Sequence, residues 1–317
     1  MAATTDFVAA QKVNRRNTMV LLAVLTALAA LLGYLIGWLV EAESSNALPT
    51  VSGGGIAAAG LLATASIGWS AVSLAWGDRM VLGMANAREI AKADAPQLYN
   101  VVEEMSLAAG VPMPRVMVLE TDALNAFATG TKTANGTIAV TRGLLDGLTR
   151  DELQGVVAHE MAHLANLDTR YMVVVGVTVG LIALVCDVTL RNLRWSRAGR
   201  SSGNDRKGGG AAILVVVLVV VAILAPIAAK FVQMAVSRQR EYLADATSVQ
   251  FTRNPKGLIS ALGKLAEKAA PFPGVSRATQ HLFIVNPVQT FTARSSALLA
   301  THPDIADRIA RLRHLGA

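Results

Sequence analysis

Residues 149–169 read TRDELQGVVAHEMAHLANLDT, and the rest of the chain is read outward from them. Thr149 and Glu152 have the spacing of a capping box, in which the hydroxyl accepts an early helical N–H and the glutamate reaches back to the cap. The spacing predicts a helix, and Leu153, Val156, Val157 and Leu164 give it an apolar face. Within it stand His159, Glu160, Met161, Ala162 and His163. Four residues turn a helix by about 400°, so the two imidazoles fall within about 40° of each other on one face. Glu160 sits beside that face.

Two imidazoles so placed can grip one zinc ion per chain. A carboxylate next to them can take a proton from a water that the metal acidifies and later deliver it to a leaving amine. The plain alternative is a histidine pair on a solvated helix face. Against it, the chain has only five histidines, and these two share a capped helix. A zinc site needs a third ligand, and the single cysteine, Cys186, lies in an apolar run. The ligand must therefore be a carboxylate or one of His281, His302 and His314. Glu241 and Asp245, four apart, are the best pair: Glu241 would bind zinc and Asp245 would accept the second N–H of a ligand histidine. Asp168 competes for either role, and a solvated face shared with Arg238 and Arg240 is the alternative for Glu241 and Asp245.

Around this motif the composition is that of a membrane protein. Of 317 residues 53% are hydrophobic and 16% charged, with a mean hydropathy of +0.44. Four runs, about 18–40, 51–77, 171–190 and 211–236, reach the roughly 20 apolar residues that a bilayer requires. The first is too long for the apolar core of a signal peptide. The expected fold is thus a mainly α integral membrane protein: four apolar helices plus a gluzincin-like zinc metalloprotease domain with a small antiparallel β-element. Residues 1–78 would form a head and a first hairpin, 79–170 the first part of the soluble domain, 171–236 a second hairpin, and 237–317 the second part.

Lys12, Arg15 and Arg16 precede the first run, Arg79, Arg88 and Lys92 follow the second, and Glu41 and Glu43 lie between the runs. The positive-inside rule then puts the head and the soluble domain in the cytoplasm. The linker between the third and fourth runs (Arg191, Arg194, Arg197, Arg200, Arg206, Lys207) conflicts with that rule. Either both helices span against it, or they pack partly within the protein. Asp187 and Lys230 lie near the ends of these runs, where they can snorkel. The net charge of +7 is concentrated beside apolar runs, which points to the lipid bilayer as partner and not to nucleic acid.

The soluble part reads as a helix over 91–110, strands over 115–119, 125–129 and 137–141 with an Asn135-Gly136 turn, the histidine helix, helices over 237–251 and 255–268, and a terminal helix over 301–315 with Pro303 in its first turn. From the residues alone the strands read as scaffold.

The stretch 124–169 (LNAFATGTKTANGTIAVTRGLLDGLTRDELQGVVAHEMAHLANLDT) resembles the HtpX-type membrane zinc metalloproteases, related to the CAAX prenyl proteases. The likeness continues through SRQREYLADA (237–246), TRNPKGLISAL (252–262), LFIVNP (282–287) and THPDIADRIARL (301–312). The resemblance implies an ATP-independent endopeptidase of the bacterial inner membrane, multi-pass, with a cytoplasmic active site that removes damaged membrane proteins. It implies His159, His163 and Glu241 as zinc ligands, Glu160 as the general base, and Asp245 in support. By the same likeness Thr137, Ile138, Ala139 and Val140, with Asn125, would bind substrate backbone, and His302 could donate to the oxyanion. Rival readings are a non-catalytic membrane adaptor with a structural metal site, which would not need Glu160, and a metal transporter, which would need ligands inside the apolar runs.

Overall fold

Proline at 96 and glycine at 110 bracket the first helix of the soluble part. The computed structural model describes residues 7–45, 50–177, 238–267 and 303–315. Helix α3 runs Pro96–Ala109, shorter at its start than the periodicity predicts, because proline suits the first turn and Ala91 to Asp94 form a turn of their own. Gly110 takes the left-handed conformation (φ 64°), and its N–H bonds Leu107 and Ser106 carbonyls.

Four strands follow the sheet order β1-β2-β4-β3: β1 Arg88–Glu89, β2 Arg115–Leu119, β3 Ala126–Thr129 and β4 Thr137–Thr141. β3 pairs antiparallel with β4 (Ala128 opposite Ile138), but β2 runs parallel to β4 (Val118 opposite Val140). The sheet is therefore mixed and larger than the antiparallel element read from the sequence. Parallel pairing needs a crossover, and local turn signals do not reveal one. Gly136, read as a turn residue, has φ −61° and needs no special backbone. A Cβ there would strike the Leu164 side chain, so the glycine lets the histidine helix lie against the sheet.

After the short helix α4 (Arg142–Gly147) comes α5 (Arg150–Ala165), capped as the sequence predicts: Glu152 N–H donates to Thr149 Oγ1 and Thr149 N–H to Glu152 Oε2 at 2.7 Å. Glu152 also accepts from Ser260 Oγ at 2.6 Å and Lys264 Nζ at 2.7 Å on α7 (Pro255–Glu267). Next to it Gly155 lets the two helices touch. α6 (Arg238–Thr252) and the terminal α8 (Ile305–Leu315) complete the set. Pro303 precedes α8, and Asp304 accepts the Ala306 N–H. The core joins α3, α5, α7 and the sheet through Leu98, Val102, Val118, Ile138, Val156, Met161 and Leu262. From Leu153 to Ala165 only Gln154 of α5 escapes full burial, so this helix is the centre of the domain.

The described residues fall into two compact units. One holds 7–18, 74–177, 238–267 and 303–315; the other holds 19–45 and 50–73. In the second unit α1 (Phe7–Ser45) and α2 (Gly53–Met84) approach closely where Gly33 meets Ala58 and Gly37 meets Gly54. Glu41 Oε2 accepts Ser52 Oγ at 2.6 Å and the Gly54 N–H at 2.7 Å, which satisfies the start of α2. Both helices are long and apolar enough to cross a membrane, and they leave Leu61 and Ile67 70% and 59% exposed. α1 extends past the predicted run at both ends and α2 past its C-terminal end, because the polar residues flanking the apolar runs also take helical form. Of the third run, 171–177 is helical. The rest of it, the basic linker, the fourth run, Asp187 and Lys230 lie outside the described residues.

Candidate metal centre

In the buried middle of α5, His159, Glu160 and His163 are 1%, 3% and 5% exposed, and buried polar groups require partners. The two Nε2 atoms face each other at 3.2 Å, with the rings nearly perpendicular. Glu241, from the first turn of α6, closes a triangle: Oε2 is 3.6 Å from His159 Nε2 and Oε1 is 3.5 Å from His163 Nε2. These three residues form a group able to hold a metal ion.

The other ring nitrogens are also held. His159 Nδ1 lies 2.9 Å from Asp245 Oδ1, and His163 Nδ1 lies 3.0 Å from Asp168 Oδ2. A carboxylate only accepts, so each Nδ1 carries a proton, and a neutral ring held this way presents its Nε2 lone pair to the triangle. Two inward lone pairs and a carboxylate at such distances repel one another unless a cation lies among them. The edges also fit: ligands about 2.0–2.1 Å from a tetrahedral zinc stand roughly 3.3–3.4 Å apart. The donor set of two imidazoles and one carboxylate thus suits zinc.

Charge supports the same conclusion. Arg308 of α8, fully buried, donates from Nη2 to Asp245 Oδ1 at 2.7 Å and from Nε to Asp245 Oδ2 at 2.9 Å, and its Nη1 is 3.6 Å from Glu241 Oε2. Arg240 Nε is 3.7 Å from Asp168 Oδ1. The carboxylates of Asp168, Glu241 and Asp245 lie against these two guanidinium groups, and the excess of negative charge suits a cation. Burial and the Arg308 charge push the His159 imidazole down, but Asp245 and Glu241 outweigh them and carry it up to about 9. Burial works against the Asp245 carboxylate, yet Arg308 and His159 hold it down to about 2. The Glu160 carboxyl is raised, mainly by burial, against the pull of His159, His163 and the Ala128 backbone N–H. A carboxyl so raised is a stronger proton acceptor than an exposed one, as a general base requires.

The tertiary structure brings together His159, Glu160, His163, Glu241, Asp245 and Asp168. Asp168 is not in the ligand triangle; it holds His163 from behind, because Leu167 takes the left-handed conformation (φ 58°) and turns the chain back. His314 is exposed on α8 and away from this group, whereas His281 and His302 lie outside the described residues. Thr137, Ile138, Ala139 and Val140 lie on β4, an interior strand of the described sheet, hydrogen-bonded to β2 on one side and β3 on the other. β3 is the outermost described strand on that side, and its Ala128 N–H reaches Glu160. The Asn125 carbonyl accepts from the Thr141 N–H at 3.0 Å and hydroxyl at 2.9 Å. Sequence reasoning missed Arg308, although its position on the stripe Ile305, Ile309, Leu312 marks a charge on an apolar face.

Residues 92–316 match the model of peptidase family M48. A protein named Protease HtpX homolog from Streptococcus agalactiae is 41% identical over 304 residues, covering 95% of this chain and 97% of its own. A second of that name, from Syntrophobacter fumaroxidans, is 42% identical over 308 residues, 95% of this chain and 99% of its own. Among solved structures, S. mikatae Ste24p aligns with a TM-score of 0.44 at 17% identity, over 80% of this chain and 57% of that one.

Proposed function

The chain belongs to peptidase family M48 and is a metalloprotease, and from that premise we propose that it is a membrane-bound, zinc-dependent endopeptidase that cuts damaged or misfolded membrane proteins on the cytoplasmic side of a bacterial inner membrane. The observation that carries the chemistry is the convergence of His159 Nε2, His163 Nε2 and the Glu241 carboxylate beside a buried Glu160. Zinc held there supplies a Lewis acid that polarises the scissile carbonyl and acidifies the attacking water.

Glu160 takes a proton from that water and returns it to the leaving amine. Asp168 and Asp245 fix the ring orientation of the two histidines, and Arg308 holds Asp245 in turn. Burial keeps bulk water from these groups, which strengthens each interaction. β3 is the strand nearest the base, so an extended substrate is proposed to lie along it. Two helices long and apolar enough to cross a membrane, with basic outer flanks and Glu41 and Glu43 where they meet, support the anchored, cytoplasm-facing orientation. The likeness of 124–169 to the HtpX type supports the quality-control role. A structural metal site in an adaptor would have no use for a base, so Glu160 counts against that rival.

The test is cleavage of a denatured model protein by detergent-purified, zinc-loaded chain beside Glu160→Gln and Glu241→Ala, with zinc content measured. The wild type should cut, Glu160→Gln should keep zinc and not cut, and Glu241→Ala should lose zinc. Wild-type chain that holds zinc yet cuts nothing that Glu160→Gln spares would establish the adaptor instead.

A further inference from the structure

The residues ahead of the first apolar run take no part in the chemistry above, yet they are fastened to the end of the histidine helix. From the head of α1, Gln11 Nε2 donates to the Ala165 carbonyl at 2.7 Å. One turn on, the Asn14 amide donates twice, to the Asn166 carbonyl at 2.9 Å and to Asp168 Oδ1 at 2.8 Å. The other oxygen of that carboxylate, Oδ2, is the one that holds His163 Nδ1 at 3.0 Å. A continuous line of hydrogen bonds therefore runs from Asn14 through Asp168 to a metal-ligating histidine. Asn14 and Asp168 are 4% and 2% exposed, so bulk water does not replace a missing donor.

From this we propose that Asn14 is a positioning residue of the metal centre. A carboxylate can rotate about its terminal bond, and Asp168 has two claimants: His163 on one oxygen, and the Arg240 guanidinium, whose Nε is 3.7 Å from the other. The Asn14 amide pins Oδ1 and so keeps Oδ2 aimed at His163 rather than drawn toward Arg240. That sets the tautomer and tilt of the His163 ring, and with them the direction of its Nε2 lone pair. Metal retention then depends on the seating of a helix head that lies about 150 residues away in sequence from the ligand it steadies.

This inference rests on the metal-centre reading, and the experiment separates the two. Full-length chain in detergent is prepared as wild type, Asn14→Ala, Asn14→Leu, Asp168→Ala and the Asn14→Ala, Asp168→Ala double variant. Zinc affinity is measured by competition with a chelator, the cobalt-substituted absorption spectrum is recorded, and the melting temperature of metal-free protein is followed. Both Asn14 variants should weaken zinc binding about tenfold and shift the cobalt spectrum, the leucine serving where alanine fails to fold because it keeps the volume. With Asp168 already alanine, the Asn14→Ala change should cost affinity little more. If the Asn14 variants melt lower but bind zinc and colour cobalt as wild type does, or if their loss adds fully to that of Asp168→Ala, Asn14 is a structural pin and the proposal is overturned. Wild-type chain that binds no metal would instead remove the metal centre itself, and the proposal with it.

Discussion

Arg308 forks onto both carboxylate oxygens of Asp245, and the same Asp245 oxygen that takes its Nη2 at 2.7 Å also takes His159 Nδ1 at 2.9 Å. The terminal helix thus supplies the counter-charge that lets His159 keep its carboxylate partner in the core. Removing one member of a buried pair leaves the other uncompensated. Arg308→Met should cost about 3–5 kcal/mol of stability. The Arg308→Met, Asp245→Leu double variant should cost less than the sum of the singles, read by thermal unfolding in detergent.

Asp245 and Asp168 each act by accepting an Nδ1–H. An asparagine there can turn its amide nitrogen toward the ring and force the other tautomer, which puts a proton on Nε2. Asp245→Asn and Asp168→Asn should each weaken zinc binding by about 10- to 100-fold. Chelator competition checks this; wild-type affinity in both variants would show that the rings are oriented by packing alone.

Glu152 ties the start of α5 to α7. Burial opposes its charge, but the bonds from Lys264, Ser260 and the Thr149 backbone N–H hold the carboxyl down from its ordinary 4.5 to about 2. A lowered carboxyl contributes stability that is fully present above 4.5 and lost as the pH falls toward 2. The amount is at most about 3 kcal/mol. Stability measured downward from neutral pH should fall through this window in wild type, and Glu152→Gln should start lower and show a shallower fall there.

A Cβ on Gly155 would sit 2.6 Å from the Leu258 backbone nitrogen, whereas one on Gly263 would meet nothing within 4 Å. Gly155→Ala should therefore push α5 and α7 apart at a cost of about 1–3 kcal/mol. Gly263→Ala, in the same α7, should stabilise by about 0.5–1 kcal/mol through helix propensity. Equal melting temperatures for the two variants would contradict this packing.

Much of the centre was legible in the residues because it is local. A helix repeats every 3.6 residues, so His159 and His163 share a face in any α-helix, and the Thr149 and Glu152 cap announces where that helix starts. The choice among third ligands was not local. Asp168 lies five residues from His163 and Glu241 lies 78 away, yet the nearer carboxylate turns to the back of the ring and the farther one joins the ligand face. The pairing of the strands was not legible for a similar reason. β2 and β4 pair in parallel across an intervening strand, which leaves β4 inside the sheet, and turn signals carry no information about such a crossover.

The sequence by itself determined the helix that pairs His159 with His163, the proposed base beside them and the apolar runs, because short-range backbone bonds and hydropathy along the chain encode them. Only the tertiary structure decided which charges meet. Asn14, Glu241, Asp245 and Arg308 come from the two ends of the chain to enclose one helix. Electrostatic compensation of a buried site acts through space, so spacing along the chain can mark a charge on an apolar face, as at Arg308, without showing which partner it meets.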